Sequence, residues 1–249
     1  GGRGMLIRRT EDTGTWLYRR RSHLPVLLVV LYLPLLPDPA SPSAQGTGTH
    51  LWMLSGLGIA FLGFGIRALT AGFVPGGTSG RSRQSFRAES LNTTGSYSVV
   101  RHPLYLGNFF IWVGVALFTR QPWLVLVTIV AFWLVYGRII RSEDRFLSDR
   151  FGERFRAWAS GTPAFIPRFS GFEGPSLPFS PRSVVGRESN GVFGAVLAMV
   201  TLDSVLRVSS EGNSRPHPVA LGVLGVAFLV WLGLRAVKKW TSLLTVEGR

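Results

Sequence analysis

The chain has no cysteine and only two lysines, Lys238 and Lys239, and its 13 Asp and Glu are set against 27 Lys and Arg. Without cysteine there is no disulfide framework, no thiolate metal ligand and no thiol nucleophile. The four histidines, His23, His50, His102 and His217, are scattered without ligand spacing, so no metal is expected. Charged residues make up 16% of the chain against 46% hydrophobic ones, fewer charges than a soluble domain carries. The apolar residues lie in runs, not in periodic stripes, which reads as an integral membrane protein. A net charge of +14 raises the question of nucleic acid. The arginines, however, sit in the gaps between the apolar runs, as loops facing anionic lipid do, and no nucleic-acid partner is expected.

Six apolar stretches follow one another: Leu24–Leu36, broken by Pro25 and Pro34, then Leu51–Val74, Leu104–Thr119, Trp123–Ile140, Val192–Val208 and Val219–Val237. No small-residue cleavage site follows the first, so it reads as a retained helix. Gly56, Gly58, Gly63 and Gly65 in the second predict close helix packing. Lys and Arg concentrate in the N-terminus, the 75–103 loop, the 138–191 segment and the C-terminal tail. The positive-inside rule makes those regions cytoplasmic. The expected fold is an all-α integral membrane protein of about six transmembrane helices with both termini inside. Arg141–Trp158, with Phe146, Leu147, Phe151 and Phe155 at roughly helical spacing, predicts an amphipathic helix on the membrane surface. Asp203 and Arg207, four residues apart in the fifth span, predict an internal pair.

Two polar clusters stand out, Arg101–Asn108 at the start of the third span and Arg138–Asp144 at the end of the fourth. The turn Arg120-Gln121-Pro122 is so short that these two spans must be antiparallel neighbours, which brings the clusters to one membrane face. Taken singly, the residues have plain readings. His102 is a turn or cap residue, Pro103 a helix start, Tyr105 an interfacial aromatic and Gly107 a packing glycine. Their company suggests a site.

Asn92-Thr93-Thr94-Gly95-Ser96-Tyr97-Ser98-Val99-Val100-Arg101-His102-Pro103-Leu104-Tyr105-Leu106-Gly107-Asn108 resembles the signature of the isoprenylcysteine carboxyl methyltransferase and phospholipid methyltransferase superfamily. So do Glu143-Asp144-Arg145-Phe146-Leu147, Phe151-Gly152 and the Pro163–Pro167 stretch, and the resemblance spans residues 90–168. That divides the chain into N-terminal membrane helices with a basic loop (1–89), a methyltransferase core (90–168), and a linker with a C-terminal helix pair (169–249). The resemblance implies S-adenosyl-L-methionine as cofactor, bound at the cytoplasmic end of the hairpin by Tyr97, Arg101, His102, Pro103, Leu104, Tyr105, Glu143 and Asp144. It implies Arg138 and Glu143 as catalytic residues, with Arg138 and Arg141 holding the acceptor's anionic group. Asp144 stands where the family usually has Glu, and Phe155 and Trp158 stand where it has tyrosines.

Val74-Pro75-Gly76-Gly77-Thr78-Ser79-Gly80-Arg81 and Thr162–Pro167 look like a bacterial branch associated with methylation of a lipid A phosphate, which adds Arg81 to the substrate side. A Gly/Ser/Thr loop ending in Arg can cradle phosphate through backbone N–H groups, or be a plain flexible loop. The expected location is the bacterial inner membrane, the partner a lipid or lipid-linked acceptor. A carboxylate or phosphate is already anionic at neutral pH and needs no general base, only cations to hold it. An amine needs a base, for which Glu143, Asp144 or His102 would serve. The abundance of arginine favours O-methylation of an anion. The alternatives are a phospholipid amine N-methyltransferase and an NADPH-dependent membrane reductase with a similar core. A transporter or scaffold is disfavoured, because spans two to four hold almost no midplane polar groups.

Overall fold

The computed structural model describes residues 13–36, 49–76, 78, 86, 88–211 and 218–248, and among them every regular element is helical. Helix α1 covers residues 13–20. It is followed by α2 (Leu24–Tyr32), which tightens into a 3₁₀ turn at Leu33–Leu35, and by α3 (Thr49–Phe73). The one-turn α4 (Ser96–Val99) leads into α5 (Pro103–Leu117), α6 (Pro122–Phe151) and α7 (Glu153–Gly161). Two long helices, α8 (Pro181–Glu211) and α9 (Pro218–Trp240), end the fold. Four of these, α3, α6, α8 and α9, are long and apolar enough to cross a membrane, while α2 and α5 are shorter apolar helices. Large apolar side chains stand exposed along them, Phe61 and Leu229 among others. The molecule is an integral membrane protein whose outer surface is built to meet lipid.

Proline sets where the helices begin. α5, α6, α8 and α9 each open on one, at Pro103, Pro122, Pro181 and Pro218. The first helical position needs no N–H partner and suits proline's fixed φ.

Where α6 ends differs from the expectation. The fourth span does not stop at Ile140 with a separate surface helix after it; one helix runs unbroken to Phe151. Nothing between Arg141 and Phe151 breaks a helix, and the stop comes at Gly152, whose φ of +55° suits only glycine without strain. At 1.5 Å per residue its 30 residues extend about 45 Å, beyond a hydrocarbon layer of about 30 Å. The charged end of α6 therefore projects past the apolar layer.

α3 and α5 approach backbone to backbone. A Cβ on Gly56 would lie 2.8 Å from the Gly114 carbonyl, and one on Gly63 would lie 2.6 Å from that of Gly107. These antiparallel glycine pairs carry the close packing expected of α3. Gly58 and Gly65 face open space. Behind α5, Trp112, Phe132, Tyr136 and Ile139 form a buried aromatic core with Tyr18 of α1. A second core, including Tyr32, Phe118, Leu124 and Leu202, lies at the end where α5 turns into α6. There Arg120 donates to Asp203 Oδ1 at 2.7 Å, both side chains being buried. Asp203 was expected to pair with Arg207, whose side chain lies outside the described residues; the cation seen beside Asp203 comes from the turn that faces α8.

Candidate functional site

The site is assembled by backbone pairing between two segments far apart in sequence. The Arg101 N–H donates to the Pro163 carbonyl at 2.9 Å, the His102 N–H to that of Ala164 at 3.3 Å, and the Arg168 N–H to that of Val99 at 2.9 Å. The segment from Val99, the last residue of α4, to His102 is thereby fixed just before Pro103 starts α5. Alongside it, the projecting end of α6 presents Glu143 and Asp144.

His102 is clamped between these carboxylates. Its Nε2 lies 2.9 Å from Asp144 Oδ1 and its Nδ1 lies 3.5 Å from Glu143 Oε2, with the ring almost wholly buried. Burial opposes a charge on the ring, but the hydrogen bonds the ring donates to Asp144 and Glu143, with the charges of those carboxylates, outweigh it and push the pKa up to about 9. With a carboxylate at each nitrogen, the doubly protonated imidazolium is the form that satisfies both. Asp144 also accepts from Arg101 Nη2 at 3.0 Å, while Arg101 Nη1 donates to the carbonyls of Ala159 and Thr162 at 2.9 and 3.0 Å. Arg101 thus ties Asp144, near the end of α6, to the end of α7.

A pocket opens beside this clamp. Its walls include Tyr97, Arg101, His102, Pro103, Leu104 and Tyr105 from the first cluster and Glu143 from the second. Asp144 lies behind His102, off the wall. The Trp158 Nε1–H, also on the wall, donates to the Tyr97 carbonyl at 3.2 Å. Burial and the neighbouring Glu143 carboxylate raise the Tyr97 phenol well above its usual pKa, so it stays neutral.

The expected acceptor arginines are elsewhere. Arg138 donates back to the Leu134 carbonyl of its own helix, Arg141 is exposed, and neither lines the pocket. Helical phase accounts for this: at about 100° per residue, Arg138 lies roughly 140° and Arg141 roughly 160° around α6 from Glu143. Phe146 and Leu147, within about 60° of Glu143 by the same measure, do line the pocket. Arg81 lies outside the described residues.

Arg21, Arg67 and Asn108 reach the pocket without having been singled out for it. Arg67 is the one charged residue between Leu51 and Val74, and a charge within a span was the signal available. It passes α5 where Gly107 has no side chain, since a Cβ there would lie 2.4 Å from Arg67 Cγ.

Charged groups gathered at the base of a helix hairpin define a membrane-embedded binding or catalytic protein. Residues 52–154 match the model of a family described as phospholipid methyltransferase. Over 90 residues the chain is 46% identical to the nickel-cobalt-cadmium resistance protein NccN of Alcaligenes xylosoxydans xylosoxydans, covering 36% of this chain and 42% of that one. Over 87 residues it is 44% identical to the cobalt-zinc-cadmium resistance protein CzcN of Cupriavidus metallidurans, covering 35% and 40%. Protein-S-isoprenylcysteine O-methyltransferase B of Arabidopsis thaliana is 28% identical over 120 residues, 47% of this chain and 60% of that one. The chain spans less than half the length of the two resistance proteins. No solved structure matches it. By these matches residues 52–154 are similar to the phospholipid methyltransferase and isoprenylcysteine O-methyltransferase proteins that the motifs resemble.

Proposed function

We propose that the protein is a membrane O-methyltransferase that uses S-adenosyl-L-methionine and acts on a carboxylate or phosphate of a lipid or lipid-linked acceptor. The observation that carries this reading is the convergence of Tyr97, His102–Tyr105 and Glu143 on one pocket beside a charged His102. The pocket suits the cofactor chemically. Glu143 offers an anion to an ammonium or a ribose hydroxyl, and Pro103, Leu104 and Tyr105 offer an apolar wall to an adenine. When bound, the cofactor supplies an electrophilic methyl group on a sulfonium.

The chain's own residues then act by orientation and charge. Methyl transfer to an anion is an in-line displacement helped chiefly by alignment. His102 fixes Glu143 on one side and Asp144 on the other, so the Glu143 carboxylate enters the pocket already oriented. With a pKa of about 9, His102 is protonated by roughly a hundred to one at neutral pH. It holds a proton and does not accept one. An amine acceptor would find Glu143 as the sole carboxylate on the described wall of the pocket, already engaged with His102. That favours an acceptor that needs no base. The guanidiniums available to an anion are those that reach the pocket, not Arg138 or Arg141. In the same reading the chain crosses the bacterial inner membrane six times, with both termini and the pocket on the cytoplasmic side.

Two measurements on the purified protein test this. Calorimetry should show binding of S-adenosylhomocysteine in preference to NADPH; the reverse preference overturns the reading in favour of a reductase. Transfer of radiolabelled methyl to total membrane lipid should give label on ester or phosphate oxygen, and label on nitrogen overturns the O-methylation assignment.

A further inference from the structure

Arg67 is the centre of a polar network that joins the pocket to the last part of the chain. Its Nε donates to Glu188 Oε2 at 2.6 Å and its Nη2 to Glu188 Oε1 at 2.9 Å, a two-pronged pair. Its Nη1 donates to Asn108 Oδ1 at 2.6 Å, and Asn108 Nδ2 donates in turn to the Tyr136 hydroxyl at 2.9 Å. Three of the guanidinium's five N–H groups are so used, and the side chain also forms part of the pocket wall. Glu188 is buried in α8, does not line the pocket, and lies outside residues 52–154.

Joining α3 to α8 does not require ions. A buried ion pair is rarely more stable than apolar side chains of the same volume, and charge within a membrane span is kept where it does something. Six residues before the end of α3, Arg67 sits about 9 Å inside the span, level with the start of α5. A guanidinium held by a carboxylate behind it and an amide beside it is stiff, and its planar fork matches carboxylate and phosphate oxygens.

We propose that Arg67 binds an anionic oxygen group, carboxylate or phosphate, of a reactant in the pocket, and that Glu188 is the positioning residue that aims it. This rests on the methyltransferase reading. The anion has two sources, the amino-acid carboxylate of the cofactor and the acceptor itself. The C-terminal helix pair is then a working part of the site and not an appendage to the family core.

The test uses the full chain in micelles, as wild type, Glu188→Gln, Arg67→Lys, and the double exchange Arg67→Glu with Glu188→Arg. The exchange keeps an ion pair between α3 and α8 but moves the cation off the pocket wall. Calorimetry measures affinity for S-adenosylhomocysteine and for its decarboxylated analogue; initial rates with micellar membrane-lipid extract give KM and kcat. If the anion is the cofactor's, the preference for the carboxylated compound falls at least tenfold in all three variants. If it is the acceptor's, that preference holds while KM for lipid rises at least tenfold and kcat stays within twofold in Glu188→Gln. Variants that keep both quantities, or an exchange variant that behaves as wild type, overturn the proposal and leave the pair as a structural contact. A wild type that binds neither S-adenosyl compound overturns the methyltransferase reading, and this proposal with it.

Discussion

Replacing Asp144 with asparagine preserves the size of the side chain at the clamp but removes one of the two charges that keep His102 protonated. The ordinary histidine value is 6.5 and the clamped one about 9. At about 1.4 kcal/mol per unit this difference corresponds to roughly 3 kcal/mol of stabilisation. Its sign follows from the direction. A folded-state pKa above the unfolded one means the stabilisation is complete below about pH 6.5 and lost as the pH rises through about 9. Thermal unfolding of the micellar protein, followed from pH 5.5 to 10 by tryptophan fluorescence, should therefore fall through that window in the wild type. Asp144→Asn should flatten the fall, and His102→Gln should abolish it. A direct reading comes from the NMR titration of ring-labelled histidine, with the His102 signal identified by its loss in His102→Gln. A wild-type midpoint near 6.5, or a stability fall of equal size in His102→Gln, refutes the clamp.

His102→Ala and Glu143→Ala should each abolish methyl transfer while the protein stays folded, as judged by its gel-filtration profile and circular dichroism; turnover in both variants removes these residues from the site. Gly107→Ala puts a Cβ 2.4 Å from Arg67 Cγ and should destabilise the protein by about 1–3 kcal/mol in thermal melts. It should also weaken S-adenosylhomocysteine binding if Arg67 holds the cofactor's carboxylate, or raise KM for lipid if it holds the acceptor, because Arg67 must shift to make room.

What sequence could show here was set by distance along the chain. The hairpin, its Arg120-Gln121-Pro122 turn and the meeting of the two polar clusters followed from span length and a connection too short to allow anything else. Tyr97, His102 and Tyr105 lie in one continuous motif, so their common placement was also legible. Within α6, adjacency in sequence misled: Arg138 and Arg141 are near Glu143 in number but lie on the far side of the helix, which helical phase alone could have shown. Continuation past Ile140 was obscured because polarity changes there while helical propensity does not. The Arg67–Glu188 pair joins residues 121 positions apart, and no periodicity reaches that far. Only the oddity of an arginine in an apolar run pointed to it.

The order in which the chain is made gives that pair a further consequence. Arg67 leaves the ribosome 121 residues before Glu188, which at synthesis rates of about 5–20 residues per second is a gap of roughly 6–24 s. During that interval the second span has to enter the bilayer with its cation uncompensated, or else wait at the insertion machinery for α8. A chain cut short before Glu188 would hold Arg67 by Asn108 but without its carboxylate, leaving an uncompensated charge in the apolar span.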